Sequence, residues 1–196
     1  MWWIKSASRK LSLPDWLSVY RILAAPVLIV FIFLDERLIF AILLLISFLS
    51  DAVDGYLARK MNIVTQRGAQ LDSIGDAITF CVGLGGILRF EYSFILEYIV
   101  IIGLAFGLYL FQLFMAYWRY GMPSSFHTYL AKLSAILQAG FMLYLLFFGV
   151  QLWLFYLATF FSIIETIEEI ILIVIFPTWK ANVKGLFWVL TAKNNK

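Results

Sequence analysis

The sequence is short of charge: of 196 residues only 14% are Asp, Glu, Lys or Arg, whereas 63% are apolar and 18% are aromatic. A soluble domain is roughly half apolar and about a quarter charged, so this composition speaks against a water-soluble globule and for a bilayer as solvent. Disorder is excluded as well, because a chain this apolar buries enough surface to offset its ordering entropy. Cysteine is nearly absent. Cys81 is alone, which excludes a disulfide scaffold, and its apolar surroundings make it read as a small buried hydrophobe. Histidine occurs once, at 127, which excludes a multi-histidine metal site. Any bound metal must then be held by oxygen, which favours Mg²⁺, Mn²⁺ or Ca²⁺. Repeats, Pro/Ser-rich linkers and low-complexity tracts are missing too, so residues 1–196 read as one domain.

What the chain does have is long apolar runs. A membrane-crossing helix needs about 20 mainly apolar residues, and six stretches qualify: Trp16 to Leu34, Leu38 to Leu57, Gln70 to Phe90, Ser93 to Trp118, Tyr129 to Gly149 and Leu152 to Phe176. The expected fold is all-α and integral to the membrane. With the N-terminus cytoplasmic, Lys and Arg collect on the inner side and only Arg37 and Arg89 fall outside. This positive-inside bias suits six spans with both termini in the cytoplasm, as in a bacterial or archaeal plasma membrane. The net charge of +3 then reads as orientation and attraction to anionic lipid, with no nucleic-acid partner implied.

Residues 1–15, MWWIKSASRKLSLPD, mix Trp2, Trp3, Ile4, Leu11 and Leu13 with three cations, the composition of an amphipathic helix lying in the interface. No small-residue cleavage site follows an apolar core there, which argues against a signal peptide. Residues 177–196, beyond the last span, look like a second interfacial segment in a cytosolic tail.

Acids inside the predicted spans are the main functional signal, since each costs at least ~2.5 to 3.5 kcal/mol on insertion scales. Asp51 and Asp54 stand at i, i+3 on the second span, and Asp72 and Asp76 at i, i+4 on the third. Either spacing puts the pair on one helix face. The two spans run antiparallel, so Asp54 lies level with Asp72 and Asp51 roughly level with Asp76, the layers being about 4 to 6 Å apart. Four carboxylates so close require countercharge; divalent metal supplies it economically, and the number of oxygens suits two ions. Small residues at Gly55, Ala58 and Gly68 allow close approach of a helix or a substrate. Arg59 and Arg67 bring positive charge suited to phosphate. Two other readings fit four buried acids: a network closed by Arg21, Arg59 and Arg67 without chemistry, and a channel or Mg²⁺ transporter. The latter would distribute its acids along a pore. A terpenoid synthase would need its Asp-rich runs on soluble helices.

The string Asp51-x2-Asp54-Gly55-x2-Ala58-Arg59-x8-Gly68-x3-Asp72-x3-Asp76 resembles the signature of the CDP-alcohol phosphotransferases, membrane enzymes of phospholipid synthesis. Leu13 to Pro26, LPDWLSVYRILAAP, is similar to the family's first-span pattern, with Asp15 and Ser18 where many members carry Asn and Thr. The resemblance implies attack of an alcohol on the lipid-side phosphorus of a CDP-activated donor such as CDP-diacylglycerol, with CMP leaving. It implies that Asp51, Asp54 and Asp72 bind two Mg²⁺ or Mn²⁺ ions, and that Asp76 is both a ligand and the base for the acceptor hydroxyl. Gly55, Ala58, Arg59 and Gly68 would form the cytidine and pyrophosphate site. A homodimer is implied by resemblance alone.

The acceptor is less legible. Arg119 and Lys132 bracket a cytosolic turn, RYGMPSSFHTYLAK, and could hold an acceptor phosphate or simply anchor at headgroups. Their presence favours glycerol 3-phosphate, with inositol phosphate, serine or another lipid alcohol as alternatives. A non-enzymatic cation-transport or lipid-binding bundle is the alternative of another class. His127 reads as a loop or interface residue, and Ser124, Ser125 and Thr128 as hydroxyls for a polyol or as caps for a helix starting at Tyr129. Glu165, Glu168 and Glu169, at i, i+3, i+4 on the sixth span, must face the bundle. A salt bridge to Arg21, Arg119 or Lys132 would satisfy them, and recognition of acceptor hydroxyls is the other use.

Overall fold

The computed structural model describes residues 13–60, 66–124, 126, 128–180 and 183–194, and every regular element among them is helical. The chain divides into two compact units, Met1–Glu91 and Tyr92–Lys196.

The N-terminal unit holds α1 (Leu13–Phe33), α2 (Arg37–Lys60) and α3 (Gln66–Phe90), with α1 packed on both other helices and α2 packed on α3. Helix α1 begins at Leu13 and places Pro14 in its first turn, where the missing N–H has no intrahelical partner to lose. Leu13 and Asp15, expected in an interfacial segment, therefore belong to α1; residues 1–12 lie outside the described residues. The helix ends in a left-handed Asp35 (φ 61°), and the Glu36 N–H reaches back to Phe31 O at 3.1 Å. This six-to-one closure serves a carbonyl that would otherwise be orphaned. Around the same turn, Arg37 pairs with Glu91 at 2.5 Å and Arg89 with Asp35 at 3.3 Å. Just inside, the buried ring of Phe40 meets Phe90 in a tilted contact at 5.5 Å and lies over Gly86.

The C-terminal unit holds α4 (Tyr92–Glu97), α5 (Ile99–Tyr120), α6 (Tyr129–Phe148), α7 (Leu152–Ile175) and α8 (Leu186–Asn194). The stretch expected as one span from Ser93 to Trp118 is interrupted at Tyr98, whose φ of −108° and ψ of 19° leave the helix. Tertiary packing favours the break. Phe94 and Tyr98 meet Phe155 at 5.1 and 5.2 Å, and Tyr98 also meets Tyr156, so aromatic contacts hold the bend. Left-handed Gly121 stops α5 (φ 71°). Thr128 caps α6, its hydroxyl accepting the Ala131 N–H at 3.1 Å, so the helix does start at Tyr129.

The tail does more than lie at an interface. The Val183 N–H donates to Phe126 O at 2.8 Å, the Tyr129 N–H to Lys184 O at 3.2 Å, and Val183, Leu186 and Val189 pack on Ala116, Phe126, Leu172 and Ile173.

Among the described residues, α5 and α6 are long and apolar enough to cross a membrane, with mean hydropathy 2.3 and 1.7. The exterior matches: Phe33, Trp118, Val100 and Phe148 are each more than three-quarters exposed, a surface suited to lipid. Cys81, expected to be buried, is exposed on α3. In an apolar solvent a thiol need not be hidden, so the burial preference learned in water does not apply.

Candidate functional site

The two acid pairs sit on unbroken helix, Asp51 and Asp54 on α2 and Asp72 and Asp76 on α3, so the spacing that puts each pair on one face holds. Gly55, Ala58 and Arg59 close α2 and Gly68 opens α3. The side chains of Asp54, Asp72, Asp76, Ala58 and Arg59, and the surroundings of Gly55 and Gly68, lie outside the described residues. Asp51 is described in full. Its carboxylate is 44% exposed, and Oδ1 accepts a hydrogen bond from Nη1 of Arg21. Arg21 comes from α1 and is 1% exposed. A guanidinium buried so deeply needs an anionic partner, and the carboxylate one helix away supplies it.

This pair bears on whether metal suits the site. The four motif residues offer oxygen alone, the donor set of a hard divalent cation. Asp51 is half-open and already oriented by a second group, the arrangement that fixes metal-ligating carboxylates in general. Among the described residues no three His, Cys, Asp or Glu side chains form another candidate metal cage. Sequence reasoning treated Arg21 as part of a family pattern and as a possible counter-ion. The structure makes it the partner of the first motif aspartate, and the only sequence signal was a lone cation inside an apolar span.

In the C-terminal unit a cavity of about 240 Å³ is lined by Tyr109, Gln112, Ser124, Glu165 and Glu169 together with apolar side chains. Gln112, 4% exposed, donates from Nε2 to Ser124 Oγ at 2.7 Å and to Glu169 Oε2 at 2.6 Å, and Ser124 Oγ donates to the same oxygen at 2.6 Å. Glu168 Oε1 accepts the Leu186 N–H at 2.8 Å, and the Thr166 hydroxyl lies 3.4 Å from Glu165 Oε2. These partners of the three glutamates are neutral, in place of the expected salt bridge to Arg119 or Lys132. Arg119 is engaged elsewhere: Nε donates to Phe176 O at 3.0 Å and Nη2 to Val174 O at 3.3 Å, capping the C-terminus of α7. Lys132 is exposed and lies 5.7 Å from the centre of the Tyr129 ring. Ser125 and His127 lie outside the described residues.

Comparison with known proteins decides the family. The family described as CDP-alcohol phosphatidyltransferase matches residues 11–164, a stretch that runs through both units and includes the whole of the Asp51 to Asp76 string. The chain belongs to that family.

Curated relatives share shorter stretches. A CDP-diacylglycerol--glycerol-3-phosphate 3-phosphatidyltransferase of Rickettsia bellii is 39% identical over 70 residues, covering 34% of this chain and 39% of the relative. Proteins of the same name from Wigglesworthia glossinidia brevipalpis and Mycoplasma genitalium are 34% identical over 88 residues and 31% over 121. Those matches cover 43% and 49% of this chain, and 48% and 50% of the relatives. The chain thus spans half or less of the length of these relatives.

Proposed function

We propose that this member of the CDP-alcohol phosphatidyltransferase family is a transferase that moves the phosphatidyl group of CDP-diacylglycerol to glycerol 3-phosphate and releases CMP. The observation that carries the reading is the string from Asp51 to Asp76 laid out on two packed helices, with Asp51 held by buried Arg21. The names of the curated relatives support glycerol 3-phosphate as acceptor. On this reading the chain is one functional domain of six spans, with both termini and the site on the cytoplasmic side, and it works as a homodimer.

Asp51, Asp54, Asp72 and Asp76 would hold two Mg²⁺ or Mn²⁺ ions. When bound, such ions neutralise a diphosphate and acidify an alcohol. The residues themselves divide the remaining work. Gly55, Ala58 and Gly68 leave room for the cytidine diphosphate to approach the helix backbones, and Arg59 offers a planar fork to phosphate oxygens. Asp76 accepts the proton of the acceptor hydroxyl as the oxygen attacks the lipid-side phosphorus, and the bond to CMP breaks. Arg21 holds Asp51 in a fixed orientation throughout. Lys132 and Arg119 are the residues assigned to the acceptor phosphate.

Purified protein given Mg²⁺ or Mn²⁺, labelled CDP-diacylglycerol and a panel of acceptors should release CMP with glycerol 3-phosphate and yield phosphatidylglycerophosphate. Release with inositol phosphate or serine instead would reassign the acceptor. No CMP release with any acceptor would remove the enzymatic reading and leave the cation-transport or lipid-binding bundle.

A further inference from the structure

On α3, Asp72, Asp76 and Thr79 stand at i, i+4 and i+7, and on α2, Ser47, Asp51 and Asp54 repeat that spacing. Each trio shares one helix face. With α2 and α3 antiparallel about the connection at 61–65, residue 54 is level with 72, residue 51 with 76, and residue 47 with 79. Two layers of acid are followed, on the side away from the connection, by a layer of hydroxyls.

Both hydroxyl residues are buried, Ser47 to 1% exposure and Thr79 to 2%. They behave differently. Ser47 donates to the carbonyl four residues back, Leu43 O at 3.0 Å, the usual recourse of a hydroxyl inside a helix. Thr166 does the same to Ser162 O and Thr191 to Phe187 O. Thr79 does not: its Oγ1 is buried and has no hydrogen-bond partner among the described residues. An orphaned hydroxyl in an apolar interior is costly, and native proteins keep few of them. A helical side chain covers the turn preceding its own Cα, which for Thr79 is the turn of Gly75 and Asp76.

We propose that Thr79 is a positioning residue of the carboxylate site, its hydroxyl donating a hydrogen bond to the Asp76 carboxylate as the site takes up divalent metal. The idea rests on the functional reading above and extends it by a residue outside the family signature. Arg21 orients the first acid of the string with a charged donor, and Thr79 orients the last with a neutral one. A neutral donor fixes the carboxylate without placing a competing cation beside the ion.

The test is a Mn²⁺ titration of the full chain in detergent micelles, read as the rise in thermal unfolding temperature, for the wild type, Thr79→Val and Thr79→Ser. Thr79→Val should raise the Mn²⁺ concentration for half-maximal stabilisation about 10-fold. Its metal-free unfolding temperature should equal or exceed that of the wild type, because an isosteric methyl replaces an unbonded hydroxyl. Thr79→Ser, which restores the donor, should recover the wild-type titration. If Thr79→Val fails to fold, Thr79→Ala removes the same hydroxyl and is read in the same way. A hydroxyl-free variant with the wild-type titration, or a Ser variant as impaired as Val, would overturn the role of Thr79 and leave the metal reading intact. A wild type that Mn²⁺ does not stabilise would overturn that reading and this proposal with it.

Discussion

The two units hold their acids by different means. In the N-terminal unit, Asp51, Asp35 and Glu91 each face an arginine. In the C-terminal unit, Glu168 and Glu169 are met by an amide side chain, a hydroxyl and a backbone N–H. An ion pair holds charge in place, and a half-open carboxylate so held stays available to a cationic ligand. A net of neutral donors fixes shape and is indifferent to whether its acceptor is a carboxylate or an amide. The difference separates acids kept for their charge from acids kept for their oxygens.

Amide substitution breaks the comparison most sharply at Asp76. Asp76→Asn should lower the rate of CMP release by about 10² to 10⁴-fold, the span of a lost general base, while folding is retained; full activity would remove its role as base. Lys132→Ala should raise KM for glycerol 3-phosphate about 10-fold with the CDP-diacylglycerol KM unchanged, as for a lost charge-assisted contact to phosphate. An unchanged KM for glycerol 3-phosphate would return Lys132 to headgroup anchoring.

Asp51→Asn should destabilise the fold by about 1 to 3 kcal/mol, less than the loss of a wholly buried pair because Asp51 is 44% exposed. Chemical denaturation in micelles would show it. Glu168→Ala should release the start of α8 at a cost of about 1 kcal/mol, the value of a helix cap, seen as faster hydrogen exchange over residues 183–191. At the small end, Glu169→Gln should change stability by less than about 1 kcal/mol, because the new amide oxygen can accept from both Gln112 and Ser124. A loss as large as that of Asp51→Asn would erase the distinction between the units.

The parts legible in the sequence are those set by local pattern. Apolar runs broken by short polar turns located α2, α3, α6 and α7 within a few residues, and Thr128 before Tyr129 announced its own cap. The break at Tyr98 carried no signal, since neither Gly nor Pro marks it and an aromatic cluster from three elements decides it. Likewise the spacing of the acids pointed to a candidate carboxylate site, but spacing cannot say which cation reaches which acid. Arg21 and Asp51 are 30 residues apart and meet only because α1 packs on α2. The partner of Glu168 was hidden for another reason: it is a backbone N–H, which any residue at 186 would offer.

Phe40 over Gly86, with the two ion pairs beside it, fastens the far end of the N-terminal unit. From Gly86 back to Asp72 α3 runs about 21 Å, so a tilt of only half a degree displaces the aspartate by about 0.2 Å, which is the whole tolerance of a metal–ligand distance. Leverage would thus make a remote packing contact part of the geometry of the proposed site. A methyl group at Gly86 would drive into the Phe40 ring and be felt, along the length of a rigid rod, at the carboxylates.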